Sequence, residues 1–440
     1  MTKPANPPLQ EKPARVLLPP SVRSRAALGL TAAAAAGRFE LQVCRDCSAV
    51  QYPPREACHR CLSSLLEWRL QDGGGELLAE TTLLHSHVEF FRERLPIRLG
   101  LVRLDSGPTA VVYLRNEVPP APTRVKVGAR LDKAGQAALV ASAESAATNT
   151  GDAGMTDSRH LQEMSCDPRG RKVLVTDAGS AVGVALVRSL VAGGAETVWA
   201  GYSPGAAKSG GLGDVLGGFN QVKLLPLDVT SSASVEEAAA QIGAQVDVVI
   251  NNAEAHQFQG REPGASGAAA ASADSTHASG GTHMSGSVGS AAQAQMDTNY
   301  FGLLRLMQSF GPLMRARAAA ANSTVTAWVN LLSIYALSSC PDQSTFSASK
   351  AAAWSLSQGL RAEMLSAGIR VINVFPGPVD DEWNKAVPPP KLAPDTLARA
   401  VVKALQDGVE DVYPGEVAQD WFARWRENPK VLERELAVTR

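Results

Sequence analysis

The apolar residues in the first part of the chain form short runs that alternate with turn residues. Between two of these runs, Asp105-Ser-Gly-Pro108 has the composition of a hairpin turn. Runs of this length that are bounded by turn residues are typical of strands. The runs are Leu77–Leu84, Ile97–Leu104, Ala110–Leu114, Val125–Leu131 and Ala137–Val140. Five such strands predict a small barrel.

A different pattern begins near residue 171, where apolar strand candidates alternate with longer stretches of helical periodicity. After the first strand, for example, Val182, Leu186 and Leu190 recur at the spacing of one helix face. The predicted strands are Val173–Val175, Thr197–Ala200, Val222–Leu227, Val246–Ile250, Thr326–Leu331 and Val371–Phe375. Repeated alternation of strand and helix predicts a doubly wound parallel sheet with helices on both faces. The fold class is therefore two domains, a small β domain followed by an α/β domain.

Three segments contain none of the predicted strands. Residues 1–37 combine a proline-rich arm with a short alanine-rich helix, and residues 143–170 have the composition of a solvated linker. Residues 260–295 are nearly all Ala, Gly, Ser and Thr, which predicts a disordered insertion. The segments between them give two parts of the small β domain, 38–66 and 67–142, and the α/β domain at 171–440.

The composition argues against several classes of function. The chain has 440 residues with 42 basic and 43 acidic side chains, a formal net charge of −1. It therefore lacks the basic excess that attracts nucleic acid. No window reaches the roughly 18 uninterrupted apolar residues of a membrane span, and the proline-rich start differs from a secretory signal. The expected location is cytoplasmic, with no membrane contact.

Four of the six cysteines stand in two close pairs. Each pair has the form Cys-x-x-Cys, with Cys44 and Cys47 in the first and Cys58 and Cys61 in the second. Two turns of this kind offer four thiolates to one tetrahedral ion. Four sulfur ligands leave no open position for a substrate, so the pattern predicts a structural Zn²⁺ ion. The alternative interpretation is four buried free thiols.

The cysteine pairs and the strands that follow resemble a zinc-ribbon plus OB-fold family that is associated with acyl-CoA enzymes. The resemblance covers about 39–140 and depends on the cysteine pairs, the Trp68 segment and the stretch Val125-Lys-Val-Gly128. It implies a rubredoxin-like zinc ribbon, an OB-fold barrel, a CoA thioester ligand and a thiolase-like protein partner. OB barrels also bind single-stranded nucleic acid through basic, aromatic faces, which is an alternative for this domain.

In the α/β domain, a strand runs into a glycine-containing turn and then into a helix. The stretch from Val173 to Gly183 would present the N–H groups of a helix start to a pyrophosphate. With the motifs that follow, it resembles the short-chain dehydrogenase/reductase family over about 171–440. These motifs are Leu227-Asp-Val229, Asn251-Asn-Ala253, Asn299-Tyr-Phe-Gly302, Asn330-Leu-Leu-Ser333, Phe346-Ser-Ala-Ser-Lys350 and Phe375-Pro-Gly-Pro-Val379. The resemblance implies a Rossmann-type fold, a nicotinamide cofactor and hydride transfer between an alcohol and a ketone.

The resemblance also assigns roles to individual residues. Ser333 would orient the substrate carbonyl, Lys350 would hold the nicotinamide ribose and Asn299 would anchor a water of the proton relay. The cofactor-binding positions would be Thr176, Gly179, Ala181, Gly183, Asp228, Asn251, Ala253, Lys350, Pro376 and Gly377. The strand end at 199–203 has no acidic residue to bind a ribose 2′-hydroxyl, so the sequence does not favour NAD over NADP.

Three positions depart from the family pattern. Phe346 stands where the family has a proton-donating tyrosine, and a phenyl ring has no proton to donate. Asp177 and Glu254 stand at two glycine positions, where a side chain obstructs close approach and a carboxylate repels pyrophosphate. These departures oppose NAD(P) binding as well as turnover. Tyr335, two residues after Ser333, is a candidate for a displaced hydroxyl.

Three hypotheses follow from these features. The first is a reductase-fold subunit with little or no activity, which serves an acyl-CoA-processing assembly through its zinc-ribbon and OB domain. It would pair with a copy of itself or with an active short-chain dehydrogenase through the helix that follows Phe346. The second is an active NAD(P)-dependent hydroxyacyl-CoA dehydrogenase with a substitute acid. The third is an OB protein that binds single-stranded nucleic acid.

Overall fold

The three-dimensional architecture is taken from a computed structural model of the whole chain. It describes residues 16–21, 24–144, 157–204, 211–255, 286–320, 324, 326–385 and 387–438. These residues form a small β domain and a larger α/β domain. None of the helices in these ranges is long and apolar enough to cross a membrane.

The small domain begins with a helix and a three-stranded antiparallel sheet. Its elements are α1 (Leu28–Ala35), β1 (Glu40–Cys44), β2 (Val50–Gln51) and β3 (Leu66–Leu70), and the strand order is β2-β1-β3. Helix α1 lies directly against β3, because a Cβ added to Gly29 would fall 2.1 Å from the Trp68 ring. The alanine-rich stretch is therefore part of the packed structure.

The five strands predicted in the small domain close into a barrel. They are β4 (Gly74–Leu83), β5 (Ile97–Leu104), β6 (Thr109–Leu114), β7 (Thr123–Leu131) and β8 (Ala137–Ala143), in the order β4-β5-β6-β8-β7, with α2 (Glu89–Arg92) before β5. The predicted hairpin joins β5 to β6 and turns at Gly107, whose φ of 114° favours glycine. Side chains alternate, so that Val112 and Leu114 are buried while Val111 is exposed. The expected OB-type barrel is confirmed.

The α/β domain is built on a seven-stranded parallel sheet. Its strands are β9 (Lys172–Val175), β10 (Thr197–Tyr202), β11 (Val222–Pro226), β12 (Val248–Asn251), β13 (Ala327–Leu331), β14 (Arg370–Val374) and β15 (Asp411–Val412), in the order β11-β10-β9-β12-β13-β14-β15. The chain reverses its direction of winding next to β9. Ligands of such sheets bind at the carboxyl ends of the strands near this point.

Helices cover both faces of the sheet. Those described are α4 (Ala181–Ala192), α5 (Leu212–Leu216), α6 (Ser232–Ile242), α7 (Gly286–Met296), α8 (Leu303–Ala318), α9 (Ser344–Leu365), α10 (Pro394–Asp407), α11 (Glu416–Glu427) and α12 (Pro429–Val438). A further short helix, α3 (Arg159–Gln162), lies in the segment that joins the two domains. Alternate residues of β9 serve two cores: Val173 packs with α4 and α10, and Leu174 packs with α6, α8 and α9. The doubly wound sheet predicted from the apolar pattern is confirmed.

One buried arginine joins the two domains. Arg370, the first residue of β14, donates hydrogen bonds to the carbonyl oxygens of Leu131 (3.2 Å) and Asp132 (2.9 Å) in the barrel. The same guanidinium donates to the carbonyl oxygens of Met164 (3.0 Å) and Gly408 (2.6 Å). The sheet edge, the barrel and the connecting segment therefore share one polar junction.

Two segments differ from the sequence predictions. In the predicted linker, Leu161 and Met164 pack against Val140 of the barrel, because this face of the barrel offers apolar surface. Residues 286–295 of the predicted disordered insertion lie in α7, which packs against α9. Low apolar content alone therefore did not predict whether these segments are ordered, because a neighbouring element supplies the surface on which they pack. Residues 145–156 of the linker, 256–285 of the insertion region and 1–15 of the proline-rich arm lie outside the described residues.

Candidate functional site

The four paired cysteines meet at one end of the three-stranded sheet. The Sγ atoms of Cys44 and Cys61 are 3.6 Å apart, as are those of Cys47 and Cys58, and all four lie within 4.8 Å of one another. Four Zn–S bonds of about 2.3 Å in a tetrahedron would place the sulfur atoms about 3.8 Å apart. The residues therefore fit a structural zinc ion, and the predicted zinc site is confirmed.

The two cysteine turns share one backbone geometry. The residue after each pair, Ser48 or Leu62, has a φ in the left-handed region, 56° and 63° respectively. This conformation turns backbone N–H groups toward the sulfur atoms. The N–H groups of Cys61 and Arg60 lower the pKa of Cys58 to about 6. The local backbone thus stabilises the thiolate forms of Cys58 and Cys44, the two cysteines of the site whose pKa values are lowered.

The second candidate site lies at the carboxyl ends of the parallel strands. A cavity of about 470 Å³ is lined by residues that include Asp177, Gly179, Asp228, Ala253 and Trp383. A cavity of about 50 Å³ is lined by residues that include Ser333, Tyr335, Phe346, Pro376 and Gly377. Glu254 lines both cavities. Five of the predicted cofactor residues, Gly179, Asp228, Ala253, Pro376 and Gly377, therefore border this cleft.

Other predicted cofactor residues do not line the cleft but make hydrogen bonds that stabilise its backbone. The hydroxyl of Thr176, which is buried, accepts hydrogen bonds from the N–H groups of Asn252 and Ala253, both at 2.9 Å, and donates to Asn251. Thr176 and Asn251 do not line either cavity. They join the ends of β9 and β12, which fixes the turn that follows β9.

The start of α4 is also fixed by contacts within the protein. Gly183 is required sterically, because a Cβ there would lie 2.2 Å from the Asp177 carbonyl oxygen. Its N–H already donates to the Ser180 hydroxyl (3.1 Å), so the helix start is capped by its own side chain. Neither Gly183 nor Ala181 lines the two cavities. Asp177 itself has a φ of 48°, the left-handed conformation that the family's glycine adopts without strain.

The predicted catalytic serine and the substituted tyrosine position lie side by side. Ser333 precedes a short 3₁₀ turn, and its hydroxyl accepts the N–H of Tyr335 (3.2 Å). Phe346, on α9, borders the same small cavity and is 2% exposed. Lys350 lies one helical turn later, with its Nζ 5.6 Å from the centre of the Phe346 ring. The packing of the missing tyrosine is retained without its hydroxyl.

The predicted catalytic lysine is already paired within the protein. Lys350 is 2% exposed, and its Nζ donates to the Leu331 carbonyl oxygen at 3.1 Å and forms an ion pair with Glu254. From its sequence position, the Glu254 carboxylate was expected beside a pyrophosphate. The structure places it on the lysine instead, because a buried ammonium group requires a compensating charge.

Asn299 lies in a π-helical turn, Asp297–Gly302, just before α8. Its side-chain oxygen accepts the N–H of Ala255 (3.0 Å), and its amide donates to the hydroxyl of Ser349 (2.9 Å). It lines neither of the two cavities. Its role in a proton relay stays a prediction, while its observed contacts hold the segment after β12 against α9.

Several residues of the cleft were not singled out in the sequence. Asn252 donates to the Asp177 carbonyl oxygen (3.0 Å), and Ser349 links Asn299 to α9. Trp383 enters the larger cavity from the loop after β14. Asn252 and Ser349 are polar residues inside recognised motifs, and that position is a signal that could have identified them. Trp383 carries none, because its loop has no motif.

Tyr335 lines the small cavity together with Ser333, as a displaced hydroxyl would need to do. Burial, with a smaller effect of Cys340, raises its pKa above the usual value. Its ring lies edge-on to Trp421, with centroids 5.3 Å apart. These surroundings disfavour the phenolate, whereas a catalytic tyrosine is helped by a nearby cation.

Comparison with protein-family models assigns both domains. A model described as short chain dehydrogenase matches residues 171–391. The chain belongs to the short-chain dehydrogenase family. Models described as the rubredoxin-like zinc ribbon domain of ChsH2 and the C-terminal OB-fold domain of ChsH2 match residues 31–67 and 68–135. Both resemblances inferred from the sequence are confirmed.

The relatives of the dehydrogenase domain are oxidoreductases. An uncharacterized oxidoreductase of Staphylococcus aureus strain USA300 is 30% identical over 244 residues, which cover 53% of this chain and 89% of that protein. One from Staphylococcus haemolyticus is 26% identical over 248 residues, 54% of this chain and 91% of that protein. A short chain dehydrogenase from Burkholderia cenocepacia, solved in complex with NADP, is 30% identical with a TM-score of 0.50, and the match covers 62% of this chain and all of that one.

The nicotinamide cofactor implied by the family does not fit the cleft as its side chains stand. The small cavity beside Ser333 measures about 50 Å³, whereas sites for small molecules usually measure about 300–1,000 Å³. The described lining of the larger cavity includes four carboxylates, Asp177, Asp228, Glu254 and Glu382, and no Lys or Arg. Such a lining repels a diphosphate. The misfit between the cofactor and the cleft is greatest at Lys350, whose ammonium group is already paired with Glu254.

Proposed function

We propose that this chain is a short-chain dehydrogenase/reductase-like subunit with little or no catalytic activity. It serves an acyl-CoA-processing assembly through its zinc-ribbon and OB-fold domain. The observation that carries the proposal is the buried Phe346 ring, which borders the cavity of Ser333 at the tyrosine position. A positioned general acid contributes a factor of about 10²–10⁴ to the rate. The phenyl ring cannot supply it.

The exterior of the small domain supports a docking role. Leu101 and Val111 face each other across β5 and β6 and are 40% and 60% exposed. Leu70, at the end of β3, is a further exposed apolar side chain of this domain, at 70%. Contiguous exposed apolar side chains mark interaction surfaces. The resemblance to acyl-CoA-associated domains favours a thiolase-like enzyme as the partner and a CoA thioester as the shared ligand.

Turnover is the first test of the proposed function. The zinc-loaded full chain is assayed with acetoacetyl-CoA and NADH or NADPH, and with the corresponding hydroxyacyl-CoA and the oxidised cofactors. We expect no turnover above that of the Ser333→Ala variant. A rate in the ordinary enzymatic range of about 1–10³ s⁻¹ that Ser333→Ala abolishes would contradict the proposal.

Partner docking is tested separately. Thiolytic activity toward acetoacetyl-CoA is measured in material that co-purifies with the tagged chain from its source cells. We expect this activity with the unchanged chain and its loss with Val111→Lys, which places a charge in the exposed apolar patch. Glu76→Lys, at an exposed ion pair on β4, is the matched control and should retain the partner. Equal thiolytic activity with both variants would exclude this surface.

One observation favours the alternative of an active hydroxyacyl-CoA dehydrogenase. Tyr335 lines the same cavity as Ser333, so a residue with a phenolic hydroxyl borders the cavity although position 346 carries a phenylalanine. If this hydroxyl donates the proton, the unchanged chain turns over and Tyr335→Phe lowers the rate by about 10²–10⁴. An unaltered rate in Tyr335→Phe would remove this alternative.

A further inference from the structure

The cleft of the α/β domain contains a charge pair that stands between its two cavities. Lys350 is almost fully buried, and the carboxylate that compensates it belongs to Glu254, whose side chain is about one quarter exposed (27%). A buried ammonium group without such a partner is strongly destabilising. The pair is therefore a fixed part of the folded cleft.

The position of Glu254 gives this pair a consequence for ligands. Glu254 follows the carboxyl end of β12 after a short loop, and its side chain borders both the 470 Å³ cavity and the 50 Å³ cavity. A dinucleotide that reached Ser333 from the larger cavity would have to pass this side chain. It would also have to compete with the carboxylate for Lys350.

We propose that the ion pair between Glu254 and Lys350 is an internal plug that excludes nicotinamide cofactors from the half of the cleft beside Ser333. The inference rests on the proposed function and deepens it. Without a hydroxyl at position 346 the cleft lacks a general acid, whereas the ion pair acts at an earlier step and prevents the cofactor from binding. Glu254 lies in the loop after β12 and Phe346 lies on helix α9, so each obstacle to catalysis can be removed by its own substitution.

Two physical contributions of Glu254 can be separated by substitution. Glu254→Gly removes both the volume and the charge and restores the residue type that the family has at this position. Glu254→Gln retains the volume and removes only the charge. Glu382→Gln removes one carboxylate from the larger cavity without touching Lys350, so it controls for the overall charge of the cleft.

Binding of NADPH and NADH to these variants is measured by titration calorimetry, with the fluorescence of the full chain as a second signal. We expect no saturation of the unchanged protein or of Glu382→Gln up to millimolar cofactor. Glu254→Gly should bind at least roughly 100-fold more tightly than the unchanged protein, as removal of an occluding, charge-paired side chain allows. Glu254→Gln should bind with an affinity between the two.

Thermal stability provides a readout that does not depend on activity. Both Glu254 variants leave Lys350 buried without its partner, so their melting temperatures should fall by several degrees. Saturating NADPH should restore the melting temperature of Glu254→Gly, because the bound ligand stabilises the folded state. It should leave the unchanged protein unaffected.

Micromolar binding of NADPH by the unchanged protein would overturn the plug. So would a folded Glu254→Gly or Glu254→Gln variant that binds no more tightly than the unchanged protein. If the unchanged protein binds NADPH but does not turn over, the plug fails and the proposed lack of activity stands. If Glu254→Gly both binds and turns over while Phe346 is present, the plug stands and the role given to Phe346 fails.

Discussion

The cysteine site and the cleft of the α/β domain are assembled in different ways. The cysteine ligands come from two equal turns between Cys44 and Cys61, and their sulfur atoms converge through local backbone geometry. The cleft draws on residues from Thr176 to Gly377, which meet only because parallel strands end at one edge of the sheet. The cysteine site has a complete set of ligands, whereas the cleft retains the residues that shape it but has Phe346 at the tyrosine position.

The difference shows which residues the fold itself requires. Thr176, Gly183 and Asn252 each make contacts that fix the turn after β9, so the fold needs them whether or not a ligand binds. A hydroxyl at position 346 would serve the chemistry alone, and the Phe346 ring fills the same space. A family scaffold can therefore remain intact where a residue that the family uses only for its chemistry has changed.

The largest predicted effect is on the cysteine site. Removal of zinc with a chelator, or Cys47→Ser, should unfold the ribbon, since structural zinc sites contribute about 10–16 kcal/mol of apparent binding free energy. Hydrogen exchange should show loss of protection in β1 and β3, while the parallel sheet remains protected. Cys340→Ser, outside the cysteine cluster, is the control and should retain one zinc per chain. Protection of β1 without zinc would mean that the ribbon folds without its metal ion.

The next effect concerns the junction of the two domains. Arg370→Met should lower the free energy of unfolding by about 3–5 kcal/mol, because four carbonyl oxygens lose a charged donor. Urea unfolding followed separately in each domain should show the two transitions moving apart. Lys403→Met removes an exposed ion pair on α10 and should change the stability by less than about 1 kcal/mol. Equal effects of the two variants would mean that the domains are not coupled through Arg370.

The smallest effect is a pH dependence in the segment that joins the domains. Burial lowers the pKa of His160 to about 4, so between about pH 6.5 and 4 the unfolded chain binds a proton that the folded chain does not. Stability is therefore complete above about pH 6.5 and is lost as the pH falls, by about 2 kcal/mol between pH 7 and pH 5. His160→Phe keeps a ring against Tyr113 and should flatten this dependence. An unchanged slope in urea titrations would assign the acid sensitivity to other groups.

Much of the fold could be predicted because buried parallel strands are apolar throughout and barrel strands alternate. The strand β5 was predicted with its observed ends, Ile97 and Leu104, since turn residues bound it on both sides. The two-residue strand β15 was not predicted, because its half-buried residues Asp411 and Val412 carry no apolar pattern. The packing of the connecting segment after residue 157 was not predicted either, since it depends on apolar surface offered by the barrel.

The amino-acid sequence by itself determined the four-cysteine site and the missing hydroxyl at Phe346. The first follows from four cysteines at close spacing in the chain, and the second follows from the residue type at one position. Neither the residue types nor their spacing depends on the tertiary structure. Only the tertiary structure decided that the Glu254 carboxylate lies on Lys350 and that Arg370 joins the sheet to the barrel. Buried charges must find partners, and the partner that each one finds depends on which strand ends and loops the fold brings together.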